Sequence, residues 1–329
     1  MGRRKPSTAP KKAVDSEVFD VCFVWPYFGR TGGVETWHKA LLPRLELSSV
    51  IATQRPSGLD VNSIYSRNVQ GNYATRQAIA QSKVVVAAAI ERIDLFLPKD
   101  NRPRVIYVDH GDGSIPYFEK LFHQNRQVAD TFICVHEAVA ERYRAYHHDV
   151  RVIANGIDPM RVAKRRTPTE LKYVAWVHRK APEKRPELAY AIAEQLPDGW
   201  QMVMTCDGED SAKVRHVGVV ANPRHLYSVA SVFLSTSNSD GFGLSCAEAM
   251  LSGVPVVASP IGICADPDLA IQVDVNAPVA DWVEAIENAH KHDTAKAKAI
   301  VESRFGVDAF VSKWREVICE PNNRSDREQ

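Results

Sequence analysis

Two carboxylates and two cations stand out by their neighbours. Asp240 is followed directly by Gly241-Phe242-Gly243-Leu244, and Glu248 comes later with seven residues between the two acids. A glycine-containing turn that runs into a helix presents unpaired backbone N–H groups, which favour anions such as phosphate. Glycine also lets a ligand approach the main chain closely. Asp240 would then precede the turn and Glu248 would lie inside the helix, so that both face one ligand from different levels. Spacing alone leaves blander roles open. Ser245-x-x-Glu248 fits a capping box, and Asp240 fits an ordinary loop turn.

The cations are Arg179 and Lys184, in Val177-His-Arg-Lys-Ala-Pro-Glu-Lys-Arg185. Two fixed cations stabilise the negative charge that grows on a departing diphosphate. Arg grips phosphate oxygens bidentately, and Lys acts as a point charge. A solvated basic turn is the competing reading, since Lys180 and Arg185 are also here. In the first half, His110 stands next to Gly111 after an apolar run, where a strand end would bring it to a cleft. Gly32, Gly33 and Glu35 follow the first apolar run. Their segment is not Gly-x-Gly-x-x-Gly, so the dinucleotide fingerprint is missing and a dehydrogenase is disfavoured. Glu35 equally suits the first turn of a helix. Asp109, Asp112 and the Asp266-Pro-Asp268 triplet resemble metal-ligand patterns, but no second ligand cluster supports them, so no metal is expected.

The elements that must position these residues read as alternating strands and helices. Apolar, β-branched runs at 18–25, 84–90, 104–108 and 131–135 predict strands, and 34–45 has helical periodicity. After residue 170 the pattern restarts, with strands at 171–177, 201–205, 214–220, 231–235, 254–258 and 270–273. Helices are predicted at 186–196, 244–251 and 279–290. Continuous apolar strands separated by helices indicate parallel sheets covered on both faces. Asn155-Gly156 and Asp158-Pro159 are turn signals between the halves. The predicted organisation is a basic tail over 1–16, a first domain over 17–158, a second over 159–318 and a polar tail over 319–329. Ligands in such sheets bind at the carboxyl ends of strands.

Composition agrees with a folded chain. The 329 residues include 41 Lys plus Arg and 40 Asp plus Glu, a formal charge of +1, with 45% hydrophobic residues. The balance excludes a disordered chain and a protein that holds nucleic acid by bulk charge. Its longest clean apolar run, 84–90, is far short of the ~20 residues of a membrane-spanning helix. The basic N-terminus lacks a following apolar segment, so no secretory signal is expected. Six scattered cysteines without a Cys-x-x-Cys pair suggest reduced thiols and a cytoplasmic location.

The segment from Ser237 to Ser259 resembles the donor-site signature of family 4 retaining glycosyltransferases, also called glycosyl transferases group 1. Their pattern is Glu-Gly-Phe-Gly-Leu, then Glu-Ala-Met, then Gly-x-Pro-Val-Val-Ala. Val177 to Leu188 is similar to the family's Gly-Arg-x-x-x-x-Lys segment, with His178 in place of Gly. Gly32, Gly33 and Glu35 resemble its first loop, and His110 its histidine beside the transferred sugar. Asn155-Gly-Ile-Asp158 resembles its interdomain crossing, and 305–318 its closing helix, which often returns to brace the first domain. The resemblance covers most of 18–318 and implies a GT-B fold: two Rossmann-like α/β domains facing a central cleft. It further implies a nucleotide-sugar donor, UDP- or GDP-linked, a hydroxyl acceptor and retention of configuration. Arg179 and Lys184 would hold the diphosphate, Glu248 the ribose, and Asp240 and His110 the sugar. Gly241, Phe242, Gly243, Leu244 and Gly33 would line the donor, with Gly32 and Glu35 on the acceptor side. Asp240 stands where the family carries Glu, one methylene shorter. A sugar-nucleotide-binding protein without transferase activity is the alternative. A modified DNA base is one further acceptor option, and the basic tail could meet nucleic acid or a membrane surface.

Overall fold

The computed structural model describes residues 18–25, 33–53, 66–88, 93–111, 118–120 and 129–321. Gly32, Asp112 and both predicted tails apart from residues 319–321 lie outside them. The first sheet has seven parallel strands in the order β3-β2-β1-β4-β5-β6-β7. They are β1 (Phe19–Trp25), β2 (Ser49–Thr53), β3 (Ser66–Gln70), β4 (Ser82–Ala87), β5 (Arg104–Asp109), β6 (Thr131–Cys134) and β7 (Val150–Val152). Helices α1 (Gly33–Leu45), α2 (Asn72–Ala80) and α3 (Glu137–Arg144) connect them.

The second sheet has six parallel strands in the order β10-β9-β8-β11-β12-β13. These are β8 (Lys172–Trp176), β9 (Trp200–Met204), β10 (Val214–His216), β11 (Ala230–Ser235), β12 (Val256–Ala258) and β13 (Ile271–Gln272). Its helices are α4 (Pro186–Glu194), α5 (Arg224–Val229), α6 (Leu244–Leu251), α7 (Val279–Glu287) and α8 (Thr294–Phe305). A last helix, α9 (Val307–Cys319), follows. Each sheet is buried on both faces, which is why its central strands are apolar throughout.

Several elements depart from expectation for physical reasons. The 214–220 run ends at His216, and Gly218 beyond it takes a left-handed φ of 66°. The 279–290 helix stops at Glu287 and continues only as a 3-10 turn, Ala289–Lys291. Strands β2, β3 and β7 and helices α2, α3, α5 and α8 were not anticipated. β3, Ser-Arg-Asn-Val-Gln, sits at the sheet edge, where one flank needs no apolar cover. In α8 only Ala297 and Val301 are buried, so its apolar stripe is too narrow to read.

The chain crosses between the sheets twice, side by side. Ile157 N–H donates to the Phe305 carbonyl (3.0 Å), and Ile157 forms a parallel bridge with Gly306. α9 then packs on the first domain. Its Phe310, Val311, Trp314 and Val317 join the face made by α1, and the Trp314 and Trp37 rings meet edge to face at 5.0 Å. Buried Arg104 on β5 caps the helix, donating to the Val317 carbonyl (2.6 Å) and to Glu320 (3.1 Å). No helix among the described residues is long and apolar enough to cross a membrane.

Candidate active site

Both sheets reverse strand order at one point: β1 beside β4 in the first, β8 beside β11 in the second. In open parallel sheets the crevice at such a point is the usual ligand site. The loop after β8 carries Arg179 and Lys184, and the loop after β11 carries Asp240 to Gly243. Adjacent strands therefore deliver the basic and the acidic segment to one place.

Lys184 Nζ donates to Asp240 Oδ2 at 2.7 Å, with both side chains mostly buried. The two loops are also stitched through their backbones. Asn238 N–H donates to the Glu183 carbonyl (2.9 Å), and the Thr236 hydroxyl donates to the Lys184 carbonyl (2.7 Å). Thr236 accepts in turn from the Trp176 indole at 3.0 Å. Arg179 behaves differently. Its side chain is 76% exposed and pairs with Glu183, one helical turn on in sequence, rather than joining Lys184.

Gly243 begins α6 with a left-handed φ of 92° that suits glycine. Ile263 N–H holds this turn by donating to the Phe242 carbonyl at 2.8 Å. The Phe242 side chain is buried against Phe305 (centroids 5.2 Å apart), so this residue offers only backbone to the cleft. α6 starts from Gly243 with no side-chain cap, so the capping box is not formed. Glu248 is instead 1% exposed inside the domain. Arg161 grips its two oxygens through Nε (to Oε1) and Nη2 (to Oε2, 3.3 Å), and the Tyr227 hydroxyl donates to Oε2 at 2.9 Å. Burial pushes the Glu248 carboxyl up from its usual range, and Arg161 and Tyr227 pull it back.

The first domain meets this surface directly. A Cβ on Gly241 would overlap the His110 carbonyl oxygen, so the two backbones touch across the cleft and glycine is required there. A Cβ on Gly33 would lie 3.6 Å from Leu244, which brings the start of α1 against the start of α6. The His110 ring packs edge-on against Trp25 (5.6 Å) and Trp37 (5.3 Å). Burial lowers its pKa to about 4, and its Nε2 has no hydrogen-bond partner among the described residues. Across the cleft, His178 has the same two properties. It is held to about 4 by burial and by nearby Lys184, and its Nε2 is unpartnered. Glu35 is buried in the first turn of α1.

The carboxylates considered for metal have other work. Asp109 accepts from the Tyr143 hydroxyl (2.7 Å) and from Gly111 N–H (2.9 Å). Asp266 and Asp268 pair with Arg304 (3.0 Å) and Lys296 (2.8 Å) on α8. Sequence reasoning missed Arg161 and Tyr227. The available signal was indirect: a carboxylate buried in an apolar helix needs a partner.

The two sheets and the cleft between them form a GT-B fold. HepE from Anabaena, solved in complex with UDP-glucose, superposes with a TM-score of 0.75 at 16% identity, over 91% of this chain and 99% of that one. Sucrose-phosphate synthase from Thermosynechococcus elongatus gives 0.71 at 16% identity, over 90% and 97%. In sequence, residues 189–292 match the family model described as Glycosyl transferases group 1. The D-inositol 3-phosphate glycosyltransferase of Corynebacterium diphtheriae is 30% identical over 157 residues, 39% of this chain. That match spans only 36% of the relative's own length.

Proposed function

We propose that the protein is a glycosyltransferase that moves a sugar from a nucleoside-diphosphate sugar to an acceptor hydroxyl with retention of configuration. The observation that carries this reading is the Lys184–Asp240 pair beside the Gly243 turn, at the switch point of the second sheet. The family match over 189–292 and the nucleotide-sugar in the HepE structure support it.

In this reading the diphosphate lies on the α6 start, with Lys184 against its oxygens. Arg179 turns in from Glu183 to join it. An exposed pair contributes only about 0–1 kcal/mol, so the exchange costs little. The bond from the anomeric carbon to the β-phosphate oxygen breaks as the acceptor oxygen bonds to that carbon on the same face. The acceptor proton passes to the departing phosphate oxygen. Positive side chains take the charge, so the reaction requires no metal. Asp240 and His110 border the sugar, and Gly33 and Glu35 shape the acceptor side. Closure of the domains keeps water from the donor.

The test is transfer and donor hydrolysis across UDP- and GDP-sugars, with Lys184→Ala and Arg179→Ala. Each variant should lower turnover by about 10²–10³; Arg179→Ala should leave the thermal midpoint nearly unchanged, and Lys184→Ala should lower it because Asp240 loses its partner. Near-normal rates in both overturn the assigned roles. Nucleotide-sugar binding without any turnover would identify a binding protein of the same fold.

A further inference from the structure

The basic turn and the acidic loop are held in one fixed register. Successive carbonyls of the basic turn, at Glu183, Lys184 and Arg185, all accept from the segment 236–238. Asn238 N–H donates to the first at 2.9 Å. The Thr236 hydroxyl serves the other two, at 2.7 Å to Lys184 and 3.2 Å to Arg185. A threonine hydroxyl has one proton and two lone pairs. The Trp176 indole N–H donates to one lone pair at 3.0 Å, which turns the proton toward the basic turn. Thr236 and Trp176 are both fully buried, so solvent replaces neither bond. The turn needs this hold. Arg185 has a left-handed φ of 49°, a conformation that non-glycine residues rarely adopt. Its guanidinium is fixed on the Val275 carbonyl, and its own carbonyl accepts from Leu188 N–H (3.1 Å) in α4. Lys184 therefore has its main chain on Thr236 and its ammonium on Asp240, further along the same loop.

We propose that Thr236, oriented by the Trp176 indole, is a positioning residue that aims Lys184 at the second phosphate of a nucleoside diphosphate. The inference rests on the donor reading above. Lysine is a point charge on a flexible stem, so the place of its ammonium depends on where its backbone is held. Thr236 acts through the lysine and not on the ligand. Without the hydroxyl, the Trp176 N–H and the Lys184 carbonyl would stay buried with a bond unmade. The left-handed residue beside the lysine could then relax and carry the ammonium away. The second phosphate would lose its cation while the rest of the nucleotide kept its contacts.

The experiment measures binding of UDP against UMP, and of GDP against GMP, by calorimetry. The full chain is compared with Thr236→Val, Thr236→Ser, Trp176→Phe, Lys184→Ala and the double variant Lys184→Ala/Thr236→Val. The ratio of diphosphate to monophosphate affinity isolates the second phosphate. Thr236→Val should lower that ratio about fivefold or more, because a charge-assisted bond is misaligned. Thr236→Ser keeps the hydroxyl and should restore most of the ratio. In the Lys184→Ala background, Thr236→Val should add less than about a twofold change, because groups that act through one another are not additive. A ratio unmoved by Thr236→Val, or multiplying effects in the double variant, would make Thr236 merely structural and overturn the proposal. So would a loss in Thr236→Ser as large as in Thr236→Val. Should Thr236→Val fail to fold, Trp176→Phe decides. It removes the orienting N–H and leaves the threonine in place, so a lowered ratio supports the proposal and an unchanged one overturns it. Failure of the unaltered protein to bind either diphosphate removes the donor reading and this inference together. A ratio lowered by Lys184→Ala but not by Thr236→Val removes the inference alone.

Discussion

Gly241 has no room for a side chain, and the reason lies in the other domain. Its backbone abuts the His110 carbonyl, so Gly241→Ala must push the two domains apart. Displacement of about 1 Å between reacting groups costs on the order of a hundredfold in rate. We expect Gly241→Ala to lose about that much turnover and to enlarge the radius of gyration in solution scattering, with each domain still folded. The same scale shows what was legible. Type and spacing alone left Arg179, Lys184 and Asp240 readable as a solvated basic turn and a loop turn, and only the resemblance singled them out together. The pairing of Lys184 with Asp240, and of Glu248 with Arg161, was not legible. Partners 56 and 87 residues apart in sequence meet only because strands and crossings bring them together.

At the scale of elements, β11, α6 and β12 were readable almost to the residue, since Gly243, Gly253 and Pro255 punctuate them. Edge strand β3 and helix α8 were not, because neither shows a full apolar face. The closing helix α9 was anticipated from the resemblance of 305–318 to the family's last helix, and its packing yields a prediction. Trp314 is fully buried against Trp37 and the α1 face. Trp314→Ala should destabilise the first domain by about 3–5 kcal/mol, seen as a lower urea midpoint. At the crossing, a Cβ on Gly156 would lie 2.6 Å from Phe310. Gly156→Ala should therefore lower the thermal midpoint, and a Phe310→Ala partner should recover part of the loss by opening the space.

For the whole molecule, buried histidines contribute to the response to acid, His147 among them with its value lowered chiefly by burial. His38 is held to about 3, and His110 and His178 to about 4, in each case chiefly by burial. Their ordinary value is 6.5, so below it the unfolded chain binds more protons than the native one. Stability is then fully present above pH 6.5 and falls as pH drops toward 4. Each histidine adds a slope of up to about 1.4 kcal/mol per pH unit. Urea midpoints at pH 7 and pH 5 should differ clearly. His178→Phe should shrink that difference, whereas a midpoint equal at both pH values would contradict the burial of these rings.

The return of α9 to the first domain has a practical corollary for cutting the chain into pieces. A recombinant fragment begun at 159 and continued to 329 would carry Phe310, Val311, Trp314 and Val317 with nothing to cover them. It should precipitate or self-associate on expression. A fragment halted at 305 leaves that greasy stripe behind and should stay monodisperse by light scattering. Supplying 307–319 as a separate peptide should then rescue a first-half fragment that ends at 158.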